Sequence, residues 1–294
     1  MDNFQKIEVQ IISAFVDNNQ GGNPAGVVLN ADELSNEQKL IIAAKVGLSE
    51  TAFVSKSKMA DFKLDFFTPT RQIAHCGHAT IATFSYLSQL GFITSEHASK
   101  ETIDGKREIL IQGDLAFMEQ KPPIYTEVSE QNGKIILASL GLREDDILSN
   151  ASISIVNTGN SFAIIPVVDN EILESIVPNY DLISQISEEF DLIGFYVFST
   201  KTSDKERVAT TRMFAPRYGI LEEAGTGMAA GPLACYLYDK IGLKKEQFLI
   251  EQGWFMKPKS PSLIIVNLLI EEGKIAKIMA GGKGIPMASM TIEI

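Results

Sequence analysis

Phe67 to Gly91 reads FTPTRQIAHCGHATIATFSYLSQLG, and the fold is decided there. Phe67 and Pro69 end a strand. Gly77 and Ala79 leave room for a tight turn, and Ile81, Phe84 and Leu87 space a helix over Thr80 to Leu90, stopped by Gly91. A helix that starts straight after small residues presents bare backbone N–H groups, which suit a carboxylate or a phosphate. Cys76 and His78 sit at that mouth.

Phe214 to Gly242 repeats the pattern as FAPRYGILEEAGTGMAAGPLACYLYDKIG, with one residue inserted before Gly225. Setting Gly77 on Gly225 puts Ala224 opposite Cys76. Upstream, Gly22 to Leu29 (GNPAGVVL) is echoed by Gly159 to Val167 (GNSFAIIPV), and Thr51 to Ser57 (TAFVSKS) by Phe195 to Lys201 (FYVFSTK). Three echoes in one order describe two similar halves, each ending in a glycine-led helix.

A chain of 294 residues accommodates two such halves, each with its own core. Pro122-Pro123 marks the boundary, giving domains 1–122 and 123–294, with the last strand able to return to the first. Strands are expected at Lys6 to Ile11, Ala25 to Leu29, Thr51 to Val54 and Phe62 to Phe67. A hairpin turns at Gly113-Asp114, and further strands lie at Ile153 to Val156, Phe162 to Val168, Gly194 to Ser199, Arg207 to Phe214, Phe248 to Glu251, Ser262 to Ile270 and Lys274 to Met279. Ser35 with Gln38 caps a helix that Gly47 stops, and a polar helical stretch covers Asn170 to Ile186. Such strand-rich halves, each with one apolar helix, imply a mixed α/β fold in which a curved sheet wraps each helix. A doubly wound sheet would need more alternating helices.

The formal charge of −11 argues against a nucleic-acid partner, and the apolar run Leu263 to Ile270, broken by Asn267, is too short to span a membrane. The polar, alternating start MDNFQKIEVQ does not read as a secretory leader, and two cysteines fit a reducing cytoplasm. His75, Cys76 and His78 are too close along the chain to encircle a metal ion, and His97 is the only other histidine. Gly225-x-Gly227-x-x-Ala230 loosely matches a dinucleotide fingerprint, but Arg217 to Ala224 is no apolar strand feeding it.

Gly22 to Leu29, Ser49-Glu50-Thr51-Ala52-Phe53-Val54, Phe67-Thr68-Pro69 with Cys76-Gly77-His78-Ala79-Thr80, Gly225-Thr226-Gly227 and Glu251-Gln252-Gly253 together resemble the phenazine-biosynthesis PhzF family, over nearly the whole chain. The resemblance implies the diaminopimelate-epimerase-like fold: two pseudo-symmetric domains, each a sheet wrapped on a central helix, with the active site in the cleft between them. It also implies isomerase chemistry without metal or organic cofactor, a small carboxylic acid as substrate, and a homodimer. In that family a Glu moves a proton on carbon, assisted by a His in the first glycine motif and an Asp in the second. Carried over residue by residue, these are Glu50, His78 and Glu223. Cys76, Gly77, Ala79 and Thr80 in the first turn, and Gly225, Thr226, Gly227 and Met228 in the second, would hold the acid group.

There are departures. The family's second motif usually reads Glu-Asp-Pro-Ala-Thr-Gly-Ser, where this chain has Glu222-Glu223-Ala224-Gly225-Thr226-Gly227-Met228, and Gln72 stands where a Glu is common. From the residues alone, Glu50 reads more readily as a solvated carboxylate at a strand end and Glu223 as a surface acid, while His78 reads as readily as a helix-start histidine bonded to backbone; the family motif is what turns the reading of Glu50. Apolar neighbours Ala52 and Phe53 favour a carboxyl able to take and return a proton near neutral pH. Two other readings stay open: a racemase or epimerase using the single thiol of Cys76, and a binding protein that keeps the anion site without turnover. A two-thiol mechanism has no second cysteine in place, because Cys235 lies inside the helix.

Overall fold

The structure is a computed structural model that describes residues 5–294. Met1 to Phe4, on which part of the reading of the N-terminus rests, lie outside the described residues. The fold is mixed α/β, and the chain divides into two compact units, Met1–Met118 with Gly281–Ile294, and Glu119–Ala280. Pro122-Pro123 lies just inside the second.

In the first unit β1 (Lys6–Ala14), β2 (Asn23–Val28), α1 (Asn36–Val46), β3 (Thr51–Ser55), β4 (Phe62–Phe67), β5 (Gln72–Ile73), α2 (Gly77–Gln89), β6 (His97–Thr102), β7 (Gly105–Gln112) and β8 (Leu115–Gln120) follow in order. β1 pairs antiparallel with β2, β2 runs parallel to β3, β3 is antiparallel to β4, and β4 is parallel to β6. The hairpins β6–β7 and β7–β8 continue the sheet. The C-terminal strand (Lys274–Glu293) then pairs with β8 on one side and with β1 on the other, from Lys6↔Glu293 to Ala14↔Gly284. The sheet therefore closes on itself.

α2 is the axis of this ring, with Ile81, Ala82, Phe84 and even Thr83 and Ser85 buried. Its polar side chains are satisfied locally. Thr83 donates to the Ala79 carbonyl at 2.7 Å, and Ser85 accepts from the Gly284 N–H at 2.8 Å. On the outside of the sheet, α1 is held by a capping box between Ser35 and Gln38, a left-handed Gly47 (φ 71°), and a buried ion pair from Lys39 to Asp65 of β4 at 2.6 Å.

The second unit contains β9 (Ile124–Glu127), α3 (Glu130–Ser139), β10 (Ser154–Asn157), β11 (Ser161–Pro166), α4 (Asn170–Ser175), α5 (Tyr180–Glu189), β12 (Gly194–Ser199), β13 (Ala209–Ala215), β14 (Ile220–Glu223), α6 (Gly227–Asp239), β15 (Gln247–Gln252) and β16 (Ser262–Glu271). Its pairing repeats the first unit's. β11 is parallel to β12, β12 antiparallel to β13, β13 parallel to β15, and β15 antiparallel to β16. α6 is the counterpart of α2 and is buried from Ala229 through Tyr238. A separate apolar cluster, with Leu137, Ile165, Leu173, Ile183 and Val197, joins α3, α4 and α5 to the sheet.

Several sequence expectations are corrected. α2 begins at Gly77, three residues before the expected start, because the small residues belong to the first turn and not to a loop before it. The helix starts also change the alignment of the repeat: the N-caps are Cys76 and Thr226, so Thr226, not Ala224, stands opposite Cys76, and Met228 stands opposite His78. The stretch at Asn170 to Ile186 is two helices, split where Pro178 forbids the helical conformation before it. The last strand runs on through Gly281 and Gly282 to Glu293, where loss of side-chain alternation hides it. Strands β6 and β9 and helix α3 were not legible, since His97–Thr102 and Ile124–Glu127 are mostly polar and α3 carries Gly133.

Candidate active site

Six α-helices are described, and four close their own N-termini. Ser35, Ser129, Asp169 and Asn179 each accept a backbone N–H at the start of α1, α3, α4 and α5, and each of those helices has an acid in its first turn. The two glycine-led helices do neither. Cys76 before α2 and Thr226 before α6 make no side-chain cap, and neither first turn holds an acidic residue. The positive ends of the two central helices are thus left for something outside the helix.

In the first unit Glu50 directly precedes β3, and its carbonyl accepts the Gly26 N–H of β2 at 3.0 Å, which fixes the backbone beside the open turn. The side chain is buried (9% exposed) and not solvated. Its Oε2 lies 3.2 Å from His78 Nε2, an ion-pair separation along which the ring N–H is not aligned as a hydrogen bond. The other ring nitrogen, Nδ1, lies 3.6 Å from Cys76 Sγ. Glu50, His78 and Cys76 therefore form one buried cluster at the mouth of α2. Burial pushes the Cys76 thiol up, and Glu50 adds to that, against the opposing pull of His78.

The remaining first-motif residues differ in access. Gly77 is half-buried, while Ala79 and Thr80 are fully enclosed. The Thr80 hydroxyl donates to the Cys76 carbonyl at 2.6 Å and accepts from Lys100 of β6 at 2.6 Å.

One donor atom each from Glu50, Cys76 and His78 lie within 4.8 Å of one another, so the three could ligate a cation. The sequence hides this set because Glu50 is remote from the Cys76-Gly77-His78 run. A thiol must lose its proton to bind zinc, and burial works against that here.

In the second unit the Thr226 hydroxyl donates to Glu223 Oε2. Behind this turn Gln252, wholly buried at the end of β15, uses both ends of its amide. Its Oε1 accepts from the Thr226 N–H at 3.1 Å and from the Tyr196 hydroxyl at 2.9 Å, and its Nε2 donates to the Glu223 carbonyl at 2.7 Å. Gln252 thus clamps the Glu223–Thr226 turn. Met228 receives the Asn160 amide at its sulfur, 3.6 Å away. Gly225, Thr226 and Gly227 form the turn with Glu223, in the second unit, whereas Glu50, Cys76 and His78 are gathered in the first. Lys100 and Tyr196 were not found from sequence: a lysine in a polar strand and a tyrosine in an apolar one carry no motif.

The chain is similar to known proteins along nearly its whole length. The family model described as "Phenazine biosynthesis-like protein" (PhzC-PhzF) matches residues 12–289. An uncharacterised isomerase of Clostridium acetobutylicum is 34% identical over 247 residues, covering 79% of this chain and 80% of the relative. The trans-2,3-dihydro-3-hydroxyanthranilate isomerase of Pseudomonas chlororaphis is 27% identical over 302 residues, covering 97% and 98%. The crystal structure of a Bacillus anthracis phenazine biosynthesis protein of the PhzF family is 26% identical and superposes with a TM-score of 0.88, covering 99% of this chain and 100% of that one. As fold alone, the likeness extends to a hydroxyproline epimerase of Agrobacterium vitis, 13% identical with a TM-score of 0.57, covering 98% of this chain and 93% of that one.

Proposed function

From the premise that the chain belongs to the PhzF family and is a PhzF-like isomerase, we propose that it moves a proton between carbons of a small cyclic or unsaturated carboxylic acid, with Glu50 as general acid and base. The observation that carries this reading is the buried Glu50–His78 contact of 3.2 Å at an uncapped helix start. Glu50 as carboxylate takes a proton from a carbon activated by the conjugated acid and returns it at another position, so the atoms balance and no co-reactant is consumed. His78, beside the Glu50 carboxylate, supports the charge that builds on the substrate, and the first N–H groups of α2 receive the acid group. Glu223 and the Gly225–Met228 turn are assigned to the same reaction on the strength of the family resemblance. The dihydro-hydroxyanthranilate in one relative's name is an acid of this class. The homodimer that the resemblance implies is a matter for light scattering.

The single-thiol alternative is disfavoured by the Cys76 thiol, which burial keeps protonated and so poorly suited to abstract a proton from carbon. Deuterium uptake from D2O into a panel of cyclic acids, beginning with trans-2,3-dihydro-3-hydroxyanthranilate, separates the readings. Uptake that Glu50→Gln lowers by roughly 10²–10⁴ and Cys76→Ala spares supports Glu50 as the base. The opposite pattern assigns the chemistry to the thiol, and binding of these acids without uptake by the unaltered protein would make it a binding protein.

A further inference from the structure

The first unit buries two lysines, and they are treated differently. Lys39 has Asp65 against it. Lys100 is 0% exposed and, among the described residues, has no carboxylate within ion-pair distance. Its ammonium donates to Thr80 Oγ1 at 2.6 Å, lies 3.2 Å from His75 Nδ1, and stands over the Phe66 ring, 5.2 Å from its centroid. An uncompensated ammonium in a core is costly, and an apolar side chain would fill the same space without that cost. The charge is nevertheless aimed at one place: through the Thr80 hydroxyl it reaches the carbonyl of Cys76, the N-cap of α2.

We propose that Lys100 is a positioning residue of the acid-binding turn, fixing the Cys76–Ala79 backbone through Thr80 and lending that turn a positive charge that a bound carboxylate feels. The inference rests on the reading that α2 receives the acid. It goes beyond that reading by making affinity depend on a side chain that never touches the ligand. The groups facing Lys100 are His75, the Cys76 thiol, Asp104 and Arg107. Burial and, to a lesser degree, Arg107 bring Lys100 down to about 7, against the opposing effect of Asp104. His75, pushed down to about 3, stays neutral over the same range. The turn therefore carries the extra charge in mildly acid solution and loses it in mildly alkaline solution, while a carboxylate ligand stays ionised throughout.

The test is calorimetric binding of benzoate between pH 5.5 and 8.5 to the unaltered protein, Lys100→Met and Lys100→Arg, each checked for folding by its melting curve. The unaltered protein is expected to lose affinity on the order of tenfold as pH rises, the effect of one charge acting across ~10 Å of protein. Lys100→Met should bind weakly at every pH, and Lys100→Arg should hold the tight value to pH 8.5. Equal pH dependence in all three proteins overturns the proposal while leaving the acid site intact. Failure of the unaltered protein to bind benzoate at any pH overturns the acid site itself, and this proposal with it. A titration of the Lys100 Nζ by ¹⁵N NMR needs no variant, and a midpoint above pH 9 would also overturn it.

Discussion

Removing the carboxylate of Asp65 isolates the Lys39 ammonium inside the first unit. The two atoms are 2.6 Å apart and both side chains are at most 7% exposed, so neither charge is satisfied by water. At an effective dielectric near 20 their attraction is about 6 kcal/mol, most of which offsets the cost of burying both ions. Asp65→Asn keeps the shape and loses the attraction, leaving a buried cation with an expected penalty of about 3–5 kcal/mol. Lys63, 3.8 Å from the other Asp65 oxygen, is itself a cation and cannot compensate. Against a total stability of roughly 5–15 kcal/mol this is a large share, and the melting temperature followed by circular dichroism should fall by about 10 °C. The double variant Lys39→Met with Asp65→Leu removes both charges together and should recover most of that loss. A single variant within about 1 kcal/mol of the unaltered protein, or a double variant no better than the single, refutes the idea that this pair pins α1 to the strands beside Glu50.

Other outcomes are expected. Because burial raises both free thiols, Cys76 and Cys235 should react with Ellman's reagent at pH 7.5 far more slowly than free cysteine, and denaturant should release both. His75 is held down to about 3 in the fold, by burial first and then by Lys100 and Arg107, so the unfolded chain takes up a proton there that the folded chain refuses. Its contribution is complete above about pH 6.5 and is lost as pH falls toward 3, so His75→Gln should flatten the decline of the urea midpoint over that window. Gly281→Ala would put a Cβ 2.0 Å from the Ala116 carbonyl oxygen and 2.7 Å from Phe117 Cα, both backbone atoms, and should cost about 3 kcal/mol or more in urea unfolding.

Much of the fold could be read in advance because its signals are local. Ser35, Gln38 and Gly47 bound α1 as the capping rules require, and strict alternation at Ile7, Val9 and Ile11 marks β1, whose Val9 is buried with Ile7 and Ile11 packed beside it. The repeat was legible as paired motifs, but its register was set by glycine matching and slipped. Only the backbone shows that Cys76 and Thr226 share the N-cap role. The site was legible as a list and not as an arrangement. No spacing rule brings Glu50 to 3.2 Å from His78, since that distance depends on how β3 lies beside the start of α2. Lys100 and Tyr196 were invisible for the same reason: each acts through long-range packing that no window along the sequence contains.

The strand that ends the chain has a consequence for synthesis. β1 pairs with Gly284–Glu293, and β8 pairs with the same last strand, so the first unit has two open strand edges until the second has been made. The half that emerges from the ribosome first is the half completed last. Truncation before Gly284 would spare the whole second unit and still remove β1's neighbour, opening the cage around α2 at an edge prone to pairing with other chains.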